Sequence, residues 1–280
     1  MSSRPGRNDP CHCGSGRKYK HCHLRDDDAT RSQATRDHPH AALDIARDWL
    51  QARHRKAYGR AYESLLDAVW PDHDEALHPE DLETGLQQAV IANLSEHLIA
   101  AGEIGSGDHW QSIADLLLGP GGPSLTPTHR DWLASLAREP LRLYRIVEVH
   151  EGFGCRLVDL TDGETHDDPS GDDRSVGVNV DDPQLAAEVE PGLLAGARLV
   201  QVADRVRTSG ALLAFAPQAE ADVCAVLADT LEACADDGAS AQQTRVEIEL
   251  TLLECWLWQF TVPLPMSTAR RDPRNPDGRD

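Results

Sequence analysis

The amino-acid sequence predicts an α+β protein, in which a helical unit is followed by a small antiparallel β-barrel or bent sheet and by a C-terminal pair of helices. Apolar residues recur at spacings of three and four over residues 40–138, the period of amphipathic helices. The period shortens to two after Pro140 and becomes helical again after Pro217. Ahead of this body, residues 7–24 concentrate cysteine, histidine, glycine and basic residues.

The helical unit is predicted to contain helices over residues 40–69, 78–101, 108–117 and 126–138. The first ends at Trp70-Pro71, because proline cannot continue a helix. Asp108 is expected to cap the third helix, which runs through Trp110 and ends at the Gly/Pro-rich stretch 119–123. Pro127 then takes the first position of the fourth helix, where its missing N–H is not needed.

The β-rich unit, residues 140–262, is predicted either as a separate unit or as one domain with residues 40–138. Its short apolar runs predict strands over residues 141–149, 155–160, 176–180, 197–202 and 211–215. A turn of the Asp-Gly kind is expected at Thr161 to Glu164, between the second and third strands. Apolar stripes over residues 223–234 and 246–260 predict two closing helices, the second of which ends before Pro263.

The segments on either side of the body have the composition of unfolded chain. Residues 25–39 are charged and contain no large apolar side chain, so we predict a flexible linker. Residues 263–280 are rich in arginine, aspartate and proline, and we expect a disordered tail.

The charge is distributed very unevenly along the chain. The net charge is -20, yet the first 25 residues carry six basic side chains against Asp9 alone, which makes this segment +5 and the remainder -25. An acidic body repels nucleic acid, so no DNA partner is expected for the chain as a whole. With no apolar run long enough to span a membrane and no signal peptide, the sequence predicts a cytoplasmic protein.

The seven cysteines do not form a disulfide framework, since their number is odd and three of them cluster near the N-terminus. Reduced thiols are therefore expected. Cys224, Cys234 and Cys255 stand in apolar surroundings and are predicted to be small buried hydrophobic residues.

A metal site is predicted in the N-terminal segment from a Cys-x-Cys pair and an adjacent Cys-His pair, which supply Cys11, Cys13, Cys22 and His23. Three thiolates and one imidazole fill the tetrahedral shell of Zn²⁺ and leave no open position, as in structural rather than catalytic sites. Gly14 and Gly16 can take the positive φ that folds the chain back between the two pairs. On residue chemistry alone, His12 and His21 remain alternatives to His23.

Arg17, Lys18 and Lys20 lie between the two pairs of candidate ligands. Three thiolates, one neutral imidazole and a divalent cation sum to a negative centre, which these basic residues would offset. The same basic face is also a candidate contact for RNA.

The run from Asn8 to His23, NDPCHCGSGRKYKHCH, resembles the SEC-C motif, the zinc-binding module found in the C-terminal tail of the preprotein translocase motor SecA and in many bacterial proteins. The resemblance implies that Cys11, Cys13, Cys22 and His23 hold one zinc ion. It also implies a docking role, since the module of the translocase contacts a chaperone and the ribosome. This chain departs from the family in having His12 where proline is common.

These observations favour a non-enzymatic zinc-binding accessory or adaptor protein, whose N-terminal knuckle docks a protein or ribosomal partner. RNA or ribosome binding through Arg17, Lys18 and Lys20 is the alternative. A third hypothesis is a metal-dependent hydrolase in the acidic body. Its candidate catalytic groups lie in the acid/histidine loops at residues 72–74, 166–168 and 172–173. Such loops are usually solvated turns.

Overall fold

The body of the protein begins with two helices that meet at His54, α1 (Ala41–Arg53) and α2 (Arg55–Val69). This computed structural model describes residues 6–11, 13, 15–25, 41–73, 76–106, 109–161, 177–202 and 204–262. The sequence predicted one continuous helix up to residue 69, but the backbone leaves helical geometry at His54, with φ -127° and ψ 24°. The imidazole of His54 packs there against the Trp49 ring, with 4.9 Å between ring centroids.

The second predicted helix starts later than expected. A short 3-10 turn, Pro79–Asp81, occupies the predicted start, and α3 runs from Thr84 to Ala101. Leu82 between them is buried and connects the turn to the core.

The prediction of a helix through Trp110 was wrong. The chain instead forms a two-stranded antiparallel sheet from β1 (Glu103–Ser106) and β2 (His109–Ser112), and the helix that follows, α4, covers only Ile113–Leu118. Ser112 caps α4 by accepting a hydrogen bond from Asp115 N–H at 3.3 Å, so the functional cap lies after Trp110 rather than before it. Trp110 is 61% exposed. The predicted cap, Asp108, lies outside the described residues.

Helix α5 (Pro127–Arg138) confirms its prediction, with Thr126 accepting from His129 N–H at the cap and Pro127 in the first position. The main sheet then contains β3 (Leu141–His150), β4 (Gly154–Asp159), β5 (Val178–Val180), β6 (Leu194–Val202) and β7 (Arg205–Phe215). Every pairing is antiparallel and the order is β5-β4-β3-β6-β7.

The main sheet is strongly bent. The β3–β4 and β6–β7 pairings each contain a register shift, which increases local twist. Asp181 N–H, just after β5, donates to the Val206 carbonyl in β7 at 2.8 Å, so the two edge strands approach each other. The predicted α+β class is confirmed. A short helix that the sequence did not predict, α6 (Pro183–Glu188), lies between β5 and β6 and is capped by Asp182.

The C-terminal pair consists of α7 (Glu220–Asp236) and α8 (Ala241–Thr261). On α8 the Trp256 side chain is buried and Trp258 is 43% exposed, so only one of the two tryptophans faces the core. A continuous cluster of buried side chains joins the helices to the sheet through residues such as Leu50, Trp132, Leu143 and Leu253.

A buried group of charged side chains links α3, β6 and α8 at the centre of this core. The guanidinium of Arg198 donates to both carboxylate oxygens of Glu249, at 3.0 and 2.5 Å, and both side chains are almost wholly inaccessible. His97 Nδ1 lies 3.2 Å from the same carboxylate, and Glu96 accepts from Ser209 at 2.6 Å. These residues come from distant parts of the sequence, so the group fixes the packing of the three elements.

Among the residues that the structure describes, no helix is both long enough and apolar enough to cross a membrane. The predicted disordered tail, the predicted linker apart from Arg25, and the turn after Thr161 lie outside those residues.

Candidate metal centre

The N-terminal segment is folded by a small set of backbone hydrogen bonds. Cys11 N–H donates to the Arg17 carbonyl at 2.8 Å, and Tyr19 N–H donates to the Asp9 carbonyl at 2.8 Å. The reversal between them uses Gly16 at φ 71°, a conformation that glycine adopts without strain, as predicted. Gly14 lies outside the described residues. The result is a tight loop that brings Cys11 and Cys13 back toward residue 22.

One turn of 3-10 helix, Tyr19–His21, delivers the second pair of candidate ligands. Cys22 N–H bonds to the Tyr19 carbonyl at 3.1 Å, which ends the turn and points Cys22 and His23 at the loop. Tyr19 itself is 1% exposed, and the sequence did not indicate that this side chain would be buried.

The structure brings Cys11, Cys13, Cys22 and His23 together. One donor atom from each lies within 4.8 Å of all the others. The sulfurs of Cys13 and Cys22 are 3.6 Å apart, and His23 Nδ1 lies 3.3 Å from the Cys11 sulfur and 3.2 Å from that of Cys22. A tetrahedral zinc shell has edges of about 3.8 Å between sulfurs and about 3.6 Å between sulfur and nitrogen, from bond lengths near 2.3 and 2.0 Å. The donor set and its spacing therefore fit a tetrahedral metal ion.

The histidines beside these residues have different placements. His21 is exposed on the 3-10 turn and does not belong to the cluster of donors. His12 lies outside the described residues. Among the described histidines of this segment, His23 is the one whose ring nitrogen reaches the sulfurs.

The electrostatics of the cluster follow from three thiols and one imidazole in contact. Hydrogen bonds from the Ser15 side chain and backbone lower the pKa of Cys13 to about 6. For Cys22 the Ser15 hydroxyl also lowers the pKa, but burial and the neighbouring thiols Cys13 and Cys11 outweigh it and leave the pKa raised. The Cys11 sulfur, as hydrogen-bond partner, raises the pKa of His23. A bound cation replaces these shared protons, so metal binding releases protons from the site.

Ser15 bonds to the local backbone and also contacts a candidate ligand, and the second contact was not predicted from the sequence. Its hydroxyl oxygen lies 3.4 Å from the Cys22 sulfur and accepts from Arg17 N–H at 3.4 Å. It therefore orients one sulfur while holding the turn between the two pairs.

A family model described as the SEC-C motif matches residues 7–25. Residues 7–25 carry a SEC-C motif. The same stretch is similar to the protein translocase subunit SecA of several bacteria. Identity is 69% over 26 residues with the protein of Brachyspira hyodysenteriae, 82% over 25 residues with that of Chloroherpeton thalassium, and 85% over 20 residues with that of Burkholderia thailandensis.

The SEC-C match is local. The aligned stretches make up 7 to 9% of this chain and 2 to 3% of those SecA proteins. No solved structure matches the chain. The SEC-C similarity therefore describes the N-terminal segment and leaves the body to be interpreted from its own residues.

Of the acid/histidine loops of the body, only Asp72 and His73 lie in the part that the structure describes. Asp72 and His73 are exposed, and the ring of His73 meets Trp258 edge-on with centroids 5.6 Å apart. Asp74 and the residues at 166–168 and 172–173 lie outside the described part. Of the cysteines predicted to be buried, Cys234 is buried while Cys224 and Cys255 are only half-buried, because they sit at the rim of the core.

Proposed function

We propose that this chain is a zinc-binding adaptor, whose N-terminal SEC-C segment holds one structural Zn²⁺ and docks a protein or ribosomal partner. Cys11, Cys13, Cys22 and His23 are the ligands in this proposal. The observation that carries it is the convergence of four donor atoms, three sulfurs and one nitrogen, within 4.8 Å of one another.

The donor set suits a structural zinc site better than a catalytic metal site. Three thiolates with one imidazole form a closed tetrahedral set without an open position for substrate. Among the described residues 6–25 only Cys11 and Tyr19 are buried, which is too little apolar burial to fold a segment on its own. Metal binding would supply the missing free energy, on the order of 10 to 16 kcal/mol in comparable zinc modules.

A docking role is supported by where the similarity lies. The match to SecA is confined to 7 to 9% of the chain, with identity of 69 to 85%. The match covers the surface of the module as well as its ligands, and exposed residues such as Arg17 and Lys18 belong to it. By the resemblance to the SEC-C motif, a chaperone-like protein or the ribosome is the partner expected. The reduced thiols that the proposed ligand set requires favour a cytoplasmic location.

Binding to RNA is the second candidate, because Arg17 and Lys18 are exposed and Lys20 is half-exposed beside the cluster. RNA binding depends on cation release, so its affinity should fall steeply with salt. Binding to a protein surface should depend less on salt and more on an intact fold of the loop.

The experiment compares purified wild type with Cys11→Ser/Cys13→Ser and with Arg17→Gln/Lys18→Gln/Lys20→Gln. Zinc content, co-sedimentation with ribosomes and affinity capture of cytosolic proteins are measured for each. The matched control is Cys224→Ala/Cys255→Ala, which removes two half-buried thiols from the body. We expect loss of both zinc and partner in the ligand variant only.

The outcome of the charge variant separates the two candidates. Retained zinc with lost ribosome association favours RNA binding through the basic face, and retained association favours a protein contact. Partner binding that persists in Cys11→Ser/Cys13→Ser after zinc is lost would contradict the adaptor proposal.

A further inference from the structure

We propose that an open groove between α1, α2 and α3 binds an organic phosphate of nucleotide size. The groove has a volume of about 1010 Å³ and is lined chiefly by side chains from the facing surfaces of these helices. Small-molecule sites typically enclose roughly 300 to 1,000 Å³. The inference concerns the body of the protein and does not depend on the N-terminal metal centre.

The charge of the groove is opposite to that of the body. Arg47, Arg55, Lys56 and Arg60 line it against one acidic side chain, Glu63, whereas the chain after residue 25 has a net charge of -25 within a total of -20. Arg47 pairs with Asp44 at 2.6 Å. Within the described ranges Arg55, Lys56 and Arg60 form no ion pair with any acidic group. Three uncompensated cations that face one concavity favour an anionic ligand.

Tyr58 adds an unsatisfied donor to the groove wall. Its side chain is 6% exposed, and its hydroxyl has no hydrogen-bond partner among the residues that the structure describes. Burial raises the pKa of Tyr58 against the smaller lowering effects of the Ser95 side chain and the Arg47 charge, so the phenol stays protonated. Buried phenols normally have a partner. A phosphate oxygen in the groove would supply the missing acceptor.

Gly59 leaves space in the groove because it has no side chain. It lies inside α2, where glycine is less favourable than alanine, and no packing requirement explains it, because an added Cβ would meet nothing within 4 Å. Gly59 is part of the groove lining. A side chain at this position would project into the space that the ligand needs.

The remaining wall is suited to an uncharged ring. Ile91 on α3 is 47% exposed and Tyr62 on α2 is half-buried, and both side chains line the groove. Apolar surface next to three free cations fits a ligand that joins phosphate to a flat organic group, as a nucleotide does. Such a unit can come from a free nucleotide or from a nucleic-acid strand, and the test distinguishes the two.

The test measures binding of ATP, pyrophosphate, adenosine and a short single-stranded oligonucleotide to the full zinc-loaded chain by calorimetry. We expect ATP to bind with a dissociation constant below about 1 mM, more tightly than pyrophosphate or adenosine alone. Tighter binding of the oligonucleotide, in competition with ATP, assigns the nucleotide unit to a nucleic-acid strand. Failure of all four probes to bind at about 1 mM overturns the proposal.

Two glycine variants make the test independent of folding. Gly59→Leu improves helix propensity while filling the groove, and it should weaken ATP binding at least about tenfold without loss of thermal stability. Gly85→Leu is the matched control, because Gly85 lies in α3 outside the groove lining and its Cβ position is equally open. Unchanged ATP affinity in Gly59→Leu would contradict the proposed site.

Tyr58→Phe and Arg55→Gln/Lys56→Gln/Arg60→Gln examine the polar contacts. Each should raise the dissociation constant for ATP, the triple variant by more and with a weaker salt dependence. Cys11→Ser/Cys13→Ser should leave ATP binding unchanged, so failure of the metal proposal and failure of the groove proposal are separately visible.

Discussion

The sulfur atom of Cys13 lies 3.6 Å from the sulfur atom of Cys22, although nine positions separate the two residues along the chain. Cys13 is exposed, and its pKa is lowered to about 6. Two thiols so close, one of them ionised at neutral pH, are arranged either to share a metal ion or to form a disulfide. We therefore expect the proposed zinc binding to depend on the redox state of this pair.

The first prediction is that oxidation releases the metal. Hydrogen peroxide should convert the thiols of Cys13 and Cys22 into one disulfide with formation of two water molecules, and the zinc should leave. The measurement is a dye assay for free zinc combined with mass spectrometry, in which the chain should lose about two mass units. Cys22→Ser removes the sulfur that lies 3.6 Å from that of Cys13 and leaves Cys11 as the other thiol of the cluster. A disulfide that forms between Cys13 and Cys11 in this variant at the wild-type rate would contradict the assignment.

The second prediction concerns pH and Glu96. Burial raises the pKa of this carboxyl to about 7, so its stabilising effect is fullest below its unfolded pKa and is lost as the pH rises through 7. The free energy of unfolding should therefore lose on the order of 2 kcal/mol between pH 5 and 8 from this group. Glu96→Gln should flatten that part of the profile, measured by urea unfolding at each pH. An unchanged slope would show that Glu96 does not titrate in this range.

Glu249 has the opposite effect, because its contribution to the free energy of unfolding decreases as the pH falls. Although burial acts to raise its pKa, His97 and Arg198 outweigh this and hold the pKa of Glu249 well below its usual range. Its contribution is present above the unfolded pKa and is lost as the pH falls toward the folded value. The stability of the body should therefore have a maximum at mildly acidic pH.

The third prediction tests the buried pair of Arg198 and Glu249. Arg198→Met leaves the Glu249 carboxylate buried with weaker compensation, and it should lower the free energy of unfolding by about 3 to 5 kcal/mol. The matched control is Arg205→Met, which breaks an exposed pair with Asp181 at 2.9 Å and should change stability by about 1 kcal/mol or less. Equal effects of the two variants in urea unfolding would contradict the special role of the buried pair.

The fourth prediction concerns the start of α8. Ser240 and Gln243 form a capping box, in which each side chain bonds to the other residue's backbone N–H. Ser240→Ala should lower the free energy of unfolding by about 1 kcal/mol. Ser64→Ala changes the same side chain at an exposed interior position of α2 and should be neutral or slightly stabilising. Thermal unfolding of both variants checks the difference in sign.

The sequence was most informative where the determinants are local. The four residues of the metal centre lie within 13 positions, and glycine between the pairs allows the reversal that Gly16 makes at φ 71°. The start of α5 at Thr126 and Pro127 was likewise predicted from neighbouring residues. The α+β class was predicted from the local period of the apolar residues. In each of these cases the interacting groups are a few residues apart.

The sequence was least informative where contacts are long-range. Strand β2 was predicted to be part of a helix and strand β1 was not predicted at all, because their eight residues have no distinct period and pair with each other. Arg198, His97 and Glu249 are separated by 51 or more positions, so the residues next to each of them do not predict the buried group. The groove beside Gly59 depends on how three helices pack, and one glycine in a helical pattern does not predict it.

The most direct test of the proposed metal centre is X-ray absorption spectroscopy at the zinc edge on the purified full chain. We expect one zinc ion per chain with a shell of three sulfurs at about 2.3 Å and one nitrogen at about 2.0 Å, and no zinc in Cys11→Ser/Cys13→Ser. A chain without bound zinc, or a shell composed of oxygen and nitrogen only, would contradict the metal centre proposed for Cys11, Cys13, Cys22 and His23.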